Sequence, residues 1–348
     1  MVRGFRDRDF IETIEHFLFC VVGSVHPPEM VISYMKYVPS ESGLWGRGER
    51  RFRRTMRNYV MLELINTINF LKNYPEYLYY SHVMNIRISA VPLEKISFHF
   101  KPEERMENLV KNVGDLDPLE RKALDLAIKI SDESSVPLKY FGVTGSILLD
   151  IHQPFSDIDL TVYGVENTGR VKETLRQIYL NKTSDLMALN GARAEDWCLN
   201  KSRLHPLTYN EAKKLLDKKW NIGIFQGIFF SIHPVKLEAE VNEKYGDRIF
   251  RPSGMIKITA TVVDDSEADF MPATYKVEDV KVLEGKHIGE IHEVVSYEGL
   301  YCGIANVGER IVAYGKLETV MDRRSGEIYH RVLIGSQEAE GRDYIKIL

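Results

Sequence analysis

The stretch that most constrains the fold runs from Leu138 to Gly164. An apolar run, Tyr140 to Val143, leads into Thr144, Gly145 and Ser146. After ten further residues, Asp157-Ile158-Asp159 opens a second apolar run that ends at Tyr163. Strand side chains alternate between faces, so Asp157 and Asp159 point one way while Ile158 and Leu160 enter a core. Two carboxylates on one face repel each other and lose hydration. A bound cation relieves this, above all magnesium bridging to phosphates. Gly145 lets the backbone come close to a ligand, and Ser146 adds a hydroxyl. The free N–H groups of a helix beginning there would seat a phosphate. The expected site is therefore a nucleoside triphosphate held by Gly145 and Ser146, with its Mg2+ or Mn2+ held by Asp157 and Asp159. Taken singly, each piece also reads as an ordinary turn or strand cap.

Composition excludes several alternatives. A chain of 348 residues exceeds one ordinary domain, and two or three are expected. With a formal net charge of -4, the whole protein is no nonspecific polyanion binder, although a local basic patch remains compatible with that charge. Cys20, Cys198 and Cys302 have no pair spacing. They argue against a disulfide scaffold and a cysteine zinc site, and they fit a reducing, cytoplasmic setting. The first residues interleave charges unlike a signal peptide, and the apolar run Phe17 to Val22 is too short to span a bilayer. Gly142-Val-Thr-Gly-Ser146 lacks the lysine of a Walker loop, which disfavours that class of ATPase.

Three modules follow from the pattern along the chain. Residues 1–114 read as a mixed α+β module. It has a hairpin-like unit over 16–38, a helix over 59–72 and short strands at 86–91 and 96–100. Its most basic segment carries Arg47, Arg50, Arg51, Arg53, Arg54 and Arg57, interleaved with Trp45 and Phe52. Guanidinium groups suit phosphates and aromatic faces suit bases, so this segment is the candidate RNA-docking site; the plainer reading is a solvated helix start or arginines paired with carboxylates. Residues 115–248 open on Asp115-Leu-Asp-Pro-Leu-Glu120, the pattern of a capped helix: Asp117 as N-cap, Pro118 at the first helical position and Glu120 completing a capping box. A second helix over 168–180 carries Arg170, Lys172 and Arg176, which face either a triphosphate or solvent. Glycines and seven short β-rich runs over 249–348, among them 288–295 and 300–305, predict a small all-β barrel. Asp264 to Glu267 reads as an acidic loop.

The segment 138–164 resembles the signature of the DNA polymerase β-type nucleotidyltransferase superfamily: Gly-Ser, roughly ten residues, then Asp-x-Asp. The whole arrangement also resembles an uncharacterised group of predicted archaeal nucleotidyltransferases. The resemblance implies an α+β fold with a polymerase β-like nucleotidyltransferase core over 115–248, flanked by the N-terminal mixed module and the C-terminal barrel. It implies transfer of a nucleoside monophosphate from an NTP to a hydroxyl acceptor, RNA among the candidates, with Gly145, Ser146, Arg170 and Lys172 on the nucleotide and Asp157 and Asp159 on the metal.

One position departs from the pattern. On the strand Gly227 to Pro234, Ser231 stands where such enzymes carry a third carboxylate, and His233 shares its face. His233 is then the candidate base, with Glu238 or Glu240 as substitutes from nearby. The alternative is a non-catalytic nucleotide- or RNA-binding protein built on a degenerate transferase.

Overall fold

In a computed structural model, the structure describes residues 3–58, 60–181, 185–286 and 289–348. Tyr59 and Ile288, where two expected elements begin, lie outside the described residues. Three sheets succeed one another along the chain.

The first sheet has eight strands: β1 (Phe10–Thr13), β2 (Leu18–Val21), β3 (Met30–Pro39), β4 (Trp45–Arg47), β5 (Arg50–Arg54), β6 (Leu78–Ser81), β7 (Ile86–Pro92) and β8 (Ile96–Phe100). Its main path is β4-β5-β3-β2-β1-β8, and the β6–β7 pair branches from β3. The arginine-rich segment is a β-hairpin, β4 with β5, because Gly48 takes the left-handed turn conformation at φ 56°. Helix α1 (Met61–Leu71) buries Leu71 in this module's core with Phe19, Met35 and Tyr77.

Helix α2 (Pro102–Lys111) crosses over to the second unit, where Met106 and Leu109 join the core. Helix α3 (Pro118–Ser134) starts with the expected capping box. Asp117 Oδ1 accepts from the N–H groups of Leu119 and Glu120, both at 3.0 Å, and Glu120 accepts from the N–H of Asp117. The second sheet comprises β9 (Phe141–Val143), β10 (Ile158–Tyr163), β11 (Leu186–Met187), β12 (Ile222–Phe225) and β13 (Ile228–Val235), in the order β11-β12-β13-β10-β9. Short helix α4 (Gly145–Leu148) follows β9, and α5 (Val165–Leu180) follows β10. Ile158, Leu160 and Val162 of β10 are fully buried, packing with Ala127 and Ile130 of α3 and Val171 and Leu175 of α5. The opposite face of β10 carries Asp159. Alternation along one strand thus sets the core and the carboxylate face together.

After α6 (Gly191–Leu204) and α7 (Tyr209–Lys218) comes the third sheet: β14 (Arg248–Glu267), β15 (Ala273–Glu284), β16 (Ile291–Ser296), β17 (Arg310–Asp322), β18 (Ile328–Ile334) and β19 (Tyr344–Ile347). This corrects the expected small all-β barrel. The strands form a six-stranded sheet in the order β14-β15-β16-β18-β17-β19, with β14 also paired to β17. The sheet branches at β17, which takes β14, β18 and β19 as partners, and β19 pairs with β17 alone among the described residues. Nor does the unit bury its apolar surface by itself. Leu207 and Leu215, from the helical segment before it, complete its core. A barrel encloses its own apolar face, whereas this sheet shares that face with helices. The segment 300–305, expected as a strand, instead contains a single 3-10 turn at Gly299–Tyr301, and Asp264 to Glu267 belong to β14, with Asp264 paired to Lys276 at 2.9 Å.

Among the described residues, no helix is long and apolar enough to cross a membrane. The tightest backbone approach near the site is at Gly142 of β9. A Cβ there would meet Pro102 backbone carbon at 2.7 Å and Thr161 Oγ1 at 2.5 Å. Gly142→Ala should therefore push α2 away from β9 and lower stability by about 1–3 kcal/mol, read as a lower urea midpoint; an unchanged midpoint would show that this contact relaxes freely.

Candidate functional site

The parallel pairing of β10 with β13 places Asp159 directly opposite Ser231, and Thr161 opposite His233. Ser231 Oγ donates to Asp159 Oδ1. His233 Nε2 lies 2.9 Å from Ser231 Oγ and 3.6 Å from Asp159 Oδ1. On the other side, Thr144 N–H donates to the backbone carbonyl of Asp159 at 2.9 Å, which aligns the Gly-Ser turn with β10. Gly145 has φ +69°, and a Cβ on it would stand 2.5 Å from Asp159 Oδ2. The glycine is thus required twice, by its left-handed backbone and by the carboxylate against it. Ser146, 4 % exposed, lies in the first turn after it. The structure brings Gly145, Ser146, Asp157, Asp159, Ser231 and His233 into one locality.

The electrostatics are those of a crowded carboxylate pair. The charge of Asp159, followed by burial, pushes the Asp157 carboxyl up to about 6. Burial also works to raise Asp159. The hydrogen bond from His233, the charge of Lys36 and the hydroxyl of Ser231 outweigh it and hold that carboxyl below its ordinary range. Burial, then the charge of Arg8, depress His233 to about 4, so its ring is neutral near pH 7. The first proton of the pair therefore resides on Asp157.

The cations come from a part of the chain that carries no motif pointing to a site. Lys36 on β3 is 8 % exposed and packs over the Phe10 ring at 5.3 Å. Its charge acts on both aspartates. Arg8, at φ +70°, presents its carbonyl to Thr144 Oγ1 at 2.7 Å, while its guanidinium, 3.2 Å from Asp7, also feels Asp159. Neither residue belongs to a motif. Only the docking of the first sheet on the second makes them neighbours of β10.

Other expected contacts go elsewhere. Arg170 pairs with Glu166 at 2.6 Å on the exposed side of α5. Lys172 pairs with Asp269 at 2.6 Å, joining α5 to the third unit. Neither is brought to Asp157 and Asp159. Glu238 pairs with Arg6, and Glu240 accepts from the N–H of Val165 and of Leu237, so neither carboxylate stands at the site. The arginine hairpin docks on the loop between α4 and β10. Gly46 N–H donates to Ile151 O at 2.8 Å, Gln153 Nε2 donates to Gly46 O at 2.9 Å, and the Trp45 and Phe155 rings meet edge-on at 6.2 Å. Within it Arg47 pairs with Asp117 and Arg50 with Glu12, and Arg54 stacks over Trp45 at 4.4 Å. Arg51, Arg53 and Arg57 are exposed.

A second cluster escaped sequence reasoning. Ligand atoms of Asp117, Glu120 and His152 lie within 4.8 Å of one another, a set able to chelate a metal ion. His152 Nε2 is 2.6 Å from Asp117 Oδ2. The same carboxylates cap α3 and pair with Arg47 and Arg105, which gives the cluster a structural occupation as well. The capping pattern identified Asp117 and Glu120 as helix-start residues. Nothing in the spacing linked them to His152.

Comparison with known proteins gives one informative match. The chain is 33 % identical over 345 residues to the uncharacterised protein MJ1086 of Methanocaldococcus jannaschii, covering 98 % of each chain. No protein-family description matches the chain. No solved structure matches it.

A buried acid with a raised pKa favours the protonated folded state, so stability attributable to Asp157 falls as pH rises from its ordinary 3.8 through about 6. Asp157→Asn should therefore be more stable than the parent at pH 7 without divalent ions, by about 1–3 kcal/mol, with the gap closing below pH 4. Thermal unfolding across pH checks this; equal stability at pH 7 would show that the two carboxylates do not repel.

Proposed function

The chain belongs to the same family as the Methanocaldococcus jannaschii protein, and we propose that it is a metal-dependent nucleotidyltransferase that moves a nucleoside monophosphate from an NTP to a hydroxyl acceptor. The observation that carries this reading is the Asp157–Asp159 pair, set against a Gly-Ser turn whose glycine abuts one of the carboxylates. Neighbouring carboxylates in a largely buried cleft are costly unless they hold a cation. Their oxygens suit Mg2+ or Mn2+, which prefer carboxylate, phosphate and water ligands.

In this reading Asp157 and Asp159 hold the ion. When bound, that ion would polarise the α-phosphate and screen the charge of the departing pyrophosphate. The turn at Gly145 and Ser146 lets phosphate oxygens approach backbone N–H groups without a side chain between them. Lys36 and Arg8 supply positive charge from the opposing sheet, in a setting where burial strengthens each interaction. The acceptor hydroxyl gives up its proton to solvent as its oxygen forms a bond to the α-phosphorus and the bond to pyrophosphate breaks in line. The exposed Arg51 and Arg53 of the docked hairpin, and Arg57 just after it, suit an acceptor that itself carries phosphates, such as an RNA end.

Ser231 favours a second reading. A serine cannot replace a carboxylate as base or metal ligand with equal strength. On that reading the protein binds a nucleotide triphosphate and releases it unchanged.

The deciding assay incubates the protein with α-labelled NTPs, Mg2+ or Mn2+, and separate RNA and protein pools. Label should enter an acceptor and fall to background in the double variant Asp157→Ala/Asp159→Ala. Metal-dependent nucleotide binding without transfer would establish the second reading instead, and absence of both would remove the nucleotide site altogether. Lys36→Met should weaken triphosphate binding about 10- to 100-fold, the loss of one charge-assisted contact, as measured by calorimetry. Undiminished affinity would place Lys36 outside the phosphate site.

A further inference from the structure

Resting on the transferase reading, we propose that the cleft beside Asp157 takes the last base of a single-stranded RNA acceptor, stacked on Phe155 and Phe229. The cleft has a volume of about 170 Å³, and Phe155, Ser156, Asp157, Ile228 and Phe229 are among its walls. Two phenyl rings and aliphatic surface thus adjoin one carboxylate of the site. Phe155 is 68 % exposed, a large ring left in water, and Phe229 is half-buried. A tight turn places Phe229. Gln226 and Gly227 both take positive φ, 46° and 82°, and close the β12–β13 hairpin with Phe229 opposite Ile224. Phe229 lies two residues before Ser231, so its ring leaves β13 on the face where Ser231 meets Asp159.

The position of the cleft decides which substrate it serves. In the sheet order, β10 stands between β9 and β13. The Gly145 turn follows β9, whereas the cleft borrows its wall from the start of β13. The acidic pair therefore separates the two. In-line displacement sets the entering oxygen opposite the departing pyrophosphate, so a triphosphate seated at Gly145 and Ser146 leaves the β13 side to the acceptor. The neighbouring charge suits a polynucleotide. Phe155 meets Trp45 of the arginine hairpin edge-on at 6.2 Å, and Arg54, stacked on Trp45, has its charge felt by Asp157. Arg51 and Arg53 of the same hairpin are exposed. An RNA end with its last base in the cleft leads its preceding phosphates toward that hairpin. Guanidinium groups hold phosphates, and aromatic faces hold unpaired bases with little regard to their identity. A protein hydroxyl brings no chain of phosphates to those arginines.

The test titrates the full-length protein, without NTP, into a short single-stranded RNA that carries the fluorescent base 2-aminopurine at its 3′ end. Stacking quenches this base. Its fluorescence should fall on binding, and the same base placed mid-chain should be quenched less. Phe155→Ala and Phe229→Ala should each weaken binding about 5- to 150-fold and remove the terminal quenching, whereas Phe229→Tyr should keep both. Phe155 is largely exposed, so its substitution leaves the core intact and the test does not depend on the folding of a Phe229 variant. Unchanged affinity in Phe155→Ala, or equal quenching at the two positions, overturns the proposal. Quenching of 2-aminopurine riboside triphosphate in place of the RNA end also overturns it, because the cleft would then hold the donor's base. The two readings fail separately. Label transfer from NTPs without terminal quenching removes the RNA site and leaves the transferase; terminal quenching without any label transfer keeps the RNA site and removes the transferase.

Discussion

Asp157 and Asp159 repel each other, and the structure around them is arranged to hold them together. Hydrogen bonds from His233 and Ser231 and the charge of Lys36 keep Asp159 ionised, while the unrelieved remainder of the repulsion raises the Asp157 carboxyl to about 6. A fold selected for stability alone would separate these carboxylates or neutralise one of them. Here the core beneath them is dense: Ile158, Leu160 and Val162 alternate with the acidic face along the same strand and are fully buried. The strand cannot shift by one residue to relieve the acids without exposing that core.

The first and second sheets depend on this arrangement in different ways. The second supplies the carboxylates, the serine and the histidine through the register of β10 and β13. The first supplies positive charge, and its arginine hairpin braces the loop before β10 through Gly46, Gln153 and the Trp45–Phe155 contact. Arg47, Arg50 and Arg54, half of the arginines in that segment, are committed to carboxylates or aromatic rings of the protein itself. Basic composition alone therefore overstated its free charge, because local sequence does not reveal which acidic groups fold back onto it. The same pairing joins the third unit, where Lys172 reaches Asp269 across from α5.

The Asp117, Glu120 and His152 cluster has a related lesson. Its two carboxylates satisfy the N–H groups at the start of α3, and its histidine arrives from the loop after α4, so capping and potential metal chelation occupy the same atoms. The geometry near β10 differs: there two like charges meet, and the charges of Lys36 and Arg54 act on Asp157 without offsetting Asp159 and burial. This difference, and not the presence of acidic residues, distinguishes the two places.

The sequence by itself determined the local elements that chemistry acts on. Alternation after Asp157 set the strand and its two faces, Asp117 and Glu120 set the start of α3, and Gly145 marked a place where the backbone can make a close approach. These features depend on neighbours within a few residues, which the chain carries openly. The spacing of Ser231 and His233 also placed them on one strand face. Tertiary structure decided the rest: that Lys36 and Arg8 meet the acidic face, that Arg170 and Lys172 are paired elsewhere, and that the C-terminal strands share their core with Leu207 and Leu215 and do not form a self-contained barrel. Those outcomes depend on contacts between residues far apart in the chain, and only the docking of one sheet on another fixes them.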